Sequence, residues 1–248
     1  MTYDFKWKMP KLAHDISESG MPVGCSVEDW APRSTPPKEI MAGDYCRLEP
    51  FDLDKHCEGL FTAFSLDQDD RNWTYLPYGP FKTIDEFRSW CQLQCMGDDP
   101  LFFTIIDQTT DQPTGLASYL RITPDVGSIE VGHIHFSPLI QGTRIATESM
   151  YLMMRRVFDE LGYRRYEWKC NALNAPSCGS AERLGFQFEG IFRQATLSKN
   201  QNRDTAWFSI IDEEWPRLQR GFDLWLAENN FDLDGQQILS LRKCLATV

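Results

Sequence analysis

The chain has 248 residues, a length that suits one core domain with extensions better than two full domains. Its 42% hydrophobic and 13% aromatic residues exclude wholesale disorder, and its formal net charge of −11 argues against nucleic acid or an anionic membrane as the main partner. No apolar run approaches the roughly 20 residues that a membrane span needs, and the N-terminus lacks a signal-peptide core. We therefore expect a cytoplasmic protein with no membrane association.

Eight cysteines are scattered along the chain. Cys95 follows Cys91 by four positions, which places both on one face of a predicted helix. The spacing is too loose for a zinc site, so we predict buried free thiols in a reducing compartment and no bound metal.

The first 40 residues are predicted to form an irregular arm, because prolines and glycines interrupt any long element. Trp7 and Trp30 suggest that this arm packs on the body. We place one domain at residues 41–230 and a peripheral C-terminal tail at 231–248. The domain is predicted to begin with a strand (46–52), an amphipathic helix (53–67), an aromatic loop (73–81) and a second helix capped by Thr83.

An antiparallel meander is predicted next, with strands at 101–107, 116–122 and 128–136. The segment 141–148 then opens a helix whose methionines recur every three or four residues up to Gly162. A small-residue loop at the start of a helix exposes unpaired N–H groups at the positive end of the helix dipole. This segment therefore predicts a phosphate-bearing ligand, and Arg144 would add positive charge.

The last third is predicted to contain a strand (165–170), a short helix opening at Asn174, a hairpin (188–198 and 205–211) and a C-terminal helix (213–228). Arg203 and Asp204 fall in the polar turn of that hairpin. We interpret them as a structural ion pair.

Five stretches give these elements a family resemblance: WTYLPYGPF, IEVGHIHFSP, RRYEWKCNALNAPS, ERLGFQFEGIFRQ and NRDTAWFSIIDEEWP. Spanning roughly residues 45–230, they resemble the GNAT N-acetyltransferase superfamily and, more narrowly, its branch of RimJ/RimL-like ribosomal-protein acetyltransferases. The resemblance implies an α/β (α+β) fold with a mixed, mostly antiparallel sheet, splayed between two strands and flanked by helices. It also implies acetyl transfer from acetyl-CoA to an amine of a small molecule or a protein N-terminus, by direct attack in a ternary complex, in a monomer or homodimer.

The resemblance further implies a set of cofactor contacts. The loop would wrap the pyrophosphate with backbone amides, and residues 134–136 would lie beside the pantetheine arm. Asn174 would contact the cofactor at the mouth of the next helix, and Ser177 would lie near the thioester sulfur. The implied cofactor-binding residues are Ile134, His135, Phe136, Gln141, Gly142, Thr143, Arg144, Ile145, Ala146, Thr147, Asn174 and Ser177.

Acyl transfer to an amine needs a neutral amine and a route for protons. Glu130, His133 and His135 are the candidate bases, because they lie on the strand beside the implied cofactor. Strand alternation predicts Glu130 on one face and both histidines on the other, so that only one set faces the cleft. Ser177 is the candidate proton donor to the leaving thiolate, or else an ordinary helix cap.

The aromatic loop carries three candidate substrate-binding residues, Trp73, Tyr75 and Tyr78. In the implied fold this loop covers the acceptor side, where it would form a wall for an apolar or planar amine. The alternative is a loop that merely plugs the edge of the core.

Two positions depart from the superfamily pattern. Arg144 replaces a loop glycine, and Ala181 replaces the tyrosine with which many relatives protonate the leaving thiolate. These departures leave a second interpretation open, in which a GNAT-fold protein has lost acetyl transfer. It would then serve as a binding protein or catalyse another reaction on a small metabolite.

Overall fold

One mixed sheet dominates the fold. The computed structural model describes residues 3–4, 12–233 and 235–248. Its strands are β1 (Asp15–Ile16), β2 (Pro22–Val23), β3 (Met41–Ala42), β4 (Cys46–Pro50), β5 (Leu101–Asp107), β6 (Pro113–Thr123), β7 (Ser128–Phe136), β8 (Arg165–Asn171), β9 (Gln187–Ser198) and β10 (Gln201–Ile211). Strands β1 and β2 pair with each other, and the other eight follow the order β3-β4-β5-β6-β7-β8-β10-β9. Only β7 and β8 run parallel within this sheet, which confirms the predicted mixed, mostly antiparallel architecture.

Helices cover both faces of the sheet. They are α1 (Leu53–Phe64), α2 (Ile84–Gln94), α3 (Arg144–Arg155), α4 (Ala175–Arg183), α5 (Trp215–Leu226) and α6 (Leu241–Thr247). Alternate side chains of β5 enter different cores: Phe103 packs with residues of α3 to α6, whereas Phe102 packs with α1 and α2. We call these two clusters the α3-side core and the α1-side core.

Local sequence signals explain the helix starts and the buried helix faces. Asp52 caps α1 by accepting hydrogen bonds from the N–H groups of Asp54 and Lys55. Thr83 caps α2, as predicted, by accepting from the N–H of Glu86 over 3.2 Å. The methionine stripe of α3 lies in the α3-side core, where Met153 is fully buried.

Strands β7 and β8 separate halfway along their length. Their ladder runs from Ser128 opposite Arg165 to Val131 opposite Trp168 and then stops, although both strands continue. Antiparallel pairing of β7 with β6 persists as far as Phe136. The splay thus opens a gap in the sheet beyond residue 131 of β7, as the family resemblance implied.

A β-bulge in β7 overturns the predicted side-chain alternation. Leu116 pairs with His135 and Ser118 with Gly132, so β7 carries one extra residue at this point, and His133 has φ +51°. Val131 therefore faces the α3-side core before the bulge, while even-numbered residues face it afterwards. Glu130 and the two histidines consequently share one face of the sheet, and the prediction that they lie on opposite faces is wrong.

The N-terminal arm touches the body through Trp30. Its indole nitrogen donates to the Asp125 carbonyl over 2.7 Å, and Arg33 and Arg164 lie over its ring. Trp7 lies outside the described residues.

The C-terminal tail is not peripheral, in contrast to the prediction. Leu241, Cys244 and Leu245 are buried in the α3-side core against α5. The periodic apolar positions of α6 were too few to reveal this from sequence. The division into arm (1–40), domain (41–230) and tail (231–248) remains a prediction.

Candidate active site

A cleft of about 2120 Å³ occupies the gap between the splayed strands. It is bordered by the aromatic loop, the N-terminal ends of α3 and α4, the β9–β10 hairpin and residues 235–237 of the tail. Beyond residue 131, β8 no longer pairs with β7, so the backbone edge of residues 132–136 that faces β8 has no strand against it. Backbone groups on that edge are therefore available to an extended ligand.

One end of the cleft is formed by the loop before α3. Gln141 donates its side-chain amide to the Phe136 carbonyl over 2.9 Å, which ties the loop to the end of β7. Gly142 has φ +74°, and a Cβ there would meet nothing within 4 Å, so the surface of the loop is open. Thr143 occupies the N-cap position but donates its hydroxyl to the Ile140 carbonyl. The first N–H groups of α3 thus lack a side-chain cap and can bind an anion.

Arg144 does not project across the mouth of this loop. Its guanidinium lies between two aromatic rings, 4.5 Å from the centre of Tyr45 and 4.4 Å from that of Phe231. The tail residue Phe231 thereby holds Arg144 at the side of the cleft. Arg183 of α4 supplies a second cation at this end and donates to the Thr147 hydroxyl over 2.8 Å.

Glu130 lies at the other end of the cleft and is 3% exposed. Its Oε2 atom accepts from Arg121 at 2.6 Å and contacts the Lys169 ammonium at 2.9 Å. Oε1 makes no hydrogen bond with any described residue and points towards Gly132, where the splay begins. One carboxylate oxygen is therefore held by two cations while the other remains available.

Glu130 belongs to an extended chain of alternating charges, which we call the ion-pair chain. Each neighbouring pair is 2.6 to 2.9 Å apart, and the chain crosses strands β6 to β9. In order, its members are Arg121, Glu130, Lys169, Glu167, Arg165 and Glu189. Three cations thus balance three carboxylates.

Both candidate histidines are poor bases at neutral pH. His135 stacks on Phe64 at 3.9 Å and meets the Trp73 ring at 4.1 Å, and this burial lowers its pKa to about 3. His133 contacts the Tyr78 hydroxyl through Nδ1 at 3.2 Å. Burial first, and then the charges of Arg121 and Arg203, lower its pKa to about 4.

The start of α4 brings Asn174 and Ser177 to the cleft. The Asn174 side chain caps the helix by accepting from the Ser177 N–H over 3.1 Å. Trp168 donates its indole N–H to Ser177 Oγ over 3.0 Å. Ala181 is fully buried in the α3-side core, so the position where many relatives carry tyrosine does not face the cleft here.

The aromatic loop divides between core and cleft. Trp73 is buried in the α1-side core, and Tyr78 lines a separate small cavity with Trp90 and Phe102. The structure therefore places neither of them on the main cleft. Tyr75 does line it and donates its hydroxyl to the Leu173 carbonyl over 3.0 Å, which joins the loop to the β8–α4 connection.

Sequence reasoning missed the cations of the cleft, because Arg121, Lys169 and Arg183 come from three separate elements. The interpretation of Arg203 and Asp204 as an ion pair is wrong. Strand β10 begins at residue 201, so both residues lie in a strand and not in a turn. Asp204 instead accepts from the Gln194 N–H and from Asn202.

No helix in the described part of the chain is long and apolar enough to cross a lipid bilayer. Among the same residues, no three His, Cys, Asp or Glu side chains gather as metal ligands would. All eight cysteines are free thiols, and all except Cys25 are buried.

Comparison with known proteins identifies the family. Residues 46–187 match the acetyltransferase (GNAT) domain. A crystal structure of a GCN5-related N-acetyltransferase from Brucella melitensis is 45% identical, covers 89% of this chain and 100% of that one, and has a TM-score of 0.87. The uncharacterized N-acetyltransferase YnaD of Bacillus subtilis is 24% identical over 62% of this chain and 88% of its own length.

The likeness to ribosomal-protein acetyltransferases is one of fold. RimL, the ribosomal L7/L12 alpha-N-protein acetyltransferase, is 22% identical with a TM-score of 0.60, covering 73% of this chain and 98% of that one. The family match, the Brucella structure and the splayed strands agree with one another. The chain is an acetyltransferase and belongs to the GNAT family.

Proposed function

We propose that the protein transfers an acetyl group from acetyl-CoA to the amine of a small molecule or a peptide N-terminus by direct attack in a ternary complex. The observation that carries this proposal is the splay of β7 from β8 beside the uncapped start of α3. Together they form one continuous cleft with an anion-binding end and a carboxylate-bearing end. We assign the reaction to the cytoplasm, in keeping with the free thiols.

The residues at the loop end fit acetyl-CoA. Gly142 presents an open surface, the first N–H groups of α3 face the cleft, and Arg144 and Arg183 line the same end. These groups would hold the phosphates, and the free edge of residues 134–136 would run beside the pantetheine arm. When bound, the cofactor supplies an activated acetyl thioester.

Glu130 is the base that the geometry supports best. Both histidine rings are buried among aromatic side chains, and this burial disfavours the charged form that a histidine takes up when it accepts a proton. Glu130 Oε1 is unpaired and lies at the start of the splay, where it can take a proton directly or through one water. Arg121 and Lys169 hold the carboxylate in place through Oε2.

Ser177 is positioned to give a proton. Its Oγ accepts from the Trp168 indole, which can only donate, so the serine keeps its own proton for another acceptor. The CoA thiolate that leaves during acetyl transfer needs a proton on the side of the cleft where Ser177 lies. Asn174 fixes the first turn of α4 and hence the position of Ser177.

A roof over the acceptor end favours a small-molecule amine. Tyr75 joins the aromatic loop to Leu173, and Lys199 at the tip of the β9–β10 hairpin donates to the Trp73 carbonyl over 2.7 Å. The loop is thus tied to both neighbouring segments. A groove open to a long peptide would lack these two hydrogen bonds.

Calorimetric titration with acetyl-CoA tests cofactor use, and turnover of Glu130→Gln tests the base. We expect micromolar binding in both proteins and a loss of kcat of about 100-fold in the variant. Glu167→Gln is the matched control, since it breaks the other contact of Lys169 but leaves Glu130 in place.

Equal losses in the two variants would show that Glu130 only positions its neighbours. No binding at millimolar acetyl-CoA would contradict the proposal and favour the alternative, a GNAT fold that binds or converts another small metabolite.

A further inference from the structure

Arg203 is a cation of the cleft for which the described residues offer no partner. It lies on β10, lines the cleft and makes no hydrogen bond or ion pair with any residue that the structure describes. Its Nε atom is buried without an acceptor. Burial, its largest influence, lowers the pKa of the guanidinium. A partly buried, unpaired charge is costly, and this cost calls for a functional explanation.

The charges around Arg203 are already balanced. The ion-pair chain contains three cations and three carboxylates, and each is paired within it. Asp204, the nearest acid in sequence, is committed to Gln194 and Asn202. Arg203 is therefore the uncompensated charge at this end of the cleft.

Arg203 also lies apart from the loop that would hold phosphates. Its charge acts on Glu130 and His133, which belong to the opposite end of the cleft from Arg144 and Arg183. Trp207, four residues further along β10, also lines the cleft and presents a second donor, because its indole nitrogen is buried without an acceptor. Its ring stacks on Phe192 at 4.3 Å and forms a flat wall. This end of the cleft thus offers donors to an anionic group near the proposed base.

We propose that the acceptor is an amine that also carries a carboxylate, and that Arg203 binds this carboxylate. The proposal rests on the proposed acetyl transfer. A guanidinium matches a carboxylate with two parallel hydrogen bonds, which would fix the amine relative to Glu130. A nearby cation also favours the neutral form of a bound amine, as nucleophilic attack requires. A polyamine, which has only positive charges, would meet repulsion here.

Binding of matched pairs tests this inference without turnover. Amino acids with one to three carbons between the amine and the carboxylate are titrated into the protein, with and without CoA. The carboxamide of each is titrated in the same way for comparison. We expect the acids to bind about 10- to 100-fold more tightly than the amides. Arg203→Gln should abolish the preference. Arg193→Gln should retain it, since it removes an exposed cation of the same hairpin that does not line the cleft.

The inference would be overturned if the amino acids and their carboxamides bound equally well, or if no amino acid bound at millimolar concentration. It would also be overturned if Arg203→Gln still preferred the acids. A last contrary outcome is that phosphoethanolamine or an acidic peptide binds more tightly than every amino acid tested. Acetylation of amides and acids alike would overturn it while leaving acetyl transfer intact. Acids that bind through Arg203 without being acetylated would support the site and contradict the proposed function.

Discussion

The indole nitrogen of Trp168 lies 3.0 Å from Ser177 Oγ and donates a hydrogen bond to it. Trp168 is the last β8 residue paired with β7, and Ser177 lies in the first turn of α4. The point where the strands part is therefore linked directly to the proposed proton donor. Since the indole can only donate, the serine proton must point away from Trp168.

Replacing Ser177 with alanine should lower kcat by about 100-fold with little change in KM for the amine, because it removes a proton donor and not a binding contact. Steady-state kinetics, followed by release of the CoA thiol, measures both constants. Ser180→Ala is the matched control, since its hydroxyl on the same helix donates to the Pro176 carbonyl. A wild-type kcat for Ser177→Ala would leave Ser177 as a helix residue only.

The contact between Arg144 and Phe231 should be measurable as a coupling energy. Arg144→Ala and Phe231→Ala each remove one partner of the stack, so in a double-mutant cycle their effects on the free energy of unfolding should couple by about 1 kcal/mol. Hydrogen exchange of residues 228–240 should accelerate similarly in both variants. If the two substitutions destabilise the protein additively and hydrogen exchange in the tail is unchanged, the contact between Arg144 and Phe231 does not hold the tail in place.

Much of the fold could be predicted because the sequence carried its local signals. Thr83 caps α2, the methionine stripe marks the buried face of α3, and the loop residues 141–147 open that helix. In each case one segment determines its own structure through hydrogen bonding or apolar periodicity. The family resemblance supplied the splay, which local patterns do not specify.

The rest depended on pairing between distant segments. The bulge at His133 arises from the register of β7 against β6, and it moves Glu130 onto the same face as His135. The ion-pair chain joins residues of four strands, so no spacing in the sequence indicates it. For the same reason Arg203 looked like an ordinary turn residue until β10 placed it in the cleft.

Glu148 should be a strong determinant of stability. Its carboxylate accepts from the N–H groups of Asp44, Tyr45 and Cys46 over 2.7 to 2.8 Å, although it lies about 100 residues away on α3. Glu148→Ala would leave buried donors unsatisfied, so we expect a loss of about 3 kcal/mol in the free energy of unfolding. Urea denaturation measures it, with Glu58→Gln on the exposed side of α1 as control. If Glu148→Ala lost less free energy of unfolding than Glu58→Gln, the three hydrogen bonds of Glu148 would not be a determinant of stability.

His135 should make folding sensitive to acid. Its pKa in the folded protein is about 3, because burial between Phe64 and Trp73 disfavours the charged form, whereas an unfolded histidine titrates near the ordinary value of about 6.5. Between these two values the unfolded chain binds the additional proton. The contribution is therefore fully present above about pH 6.5 and is lost as the pH falls towards 3, with a slope approaching about 1.4 kcal/mol per pH unit. Urea denaturation from pH 7 to pH 4.5 measures this effect. The free energy of unfolding of His135→Phe should fall less steeply with falling pH than that of the wild type, by about that slope. The control His14→Gln, which changes an exposed histidine, should follow the wild type. An unchanged slope in His135→Phe would mean that His135 does not carry this proton linkage.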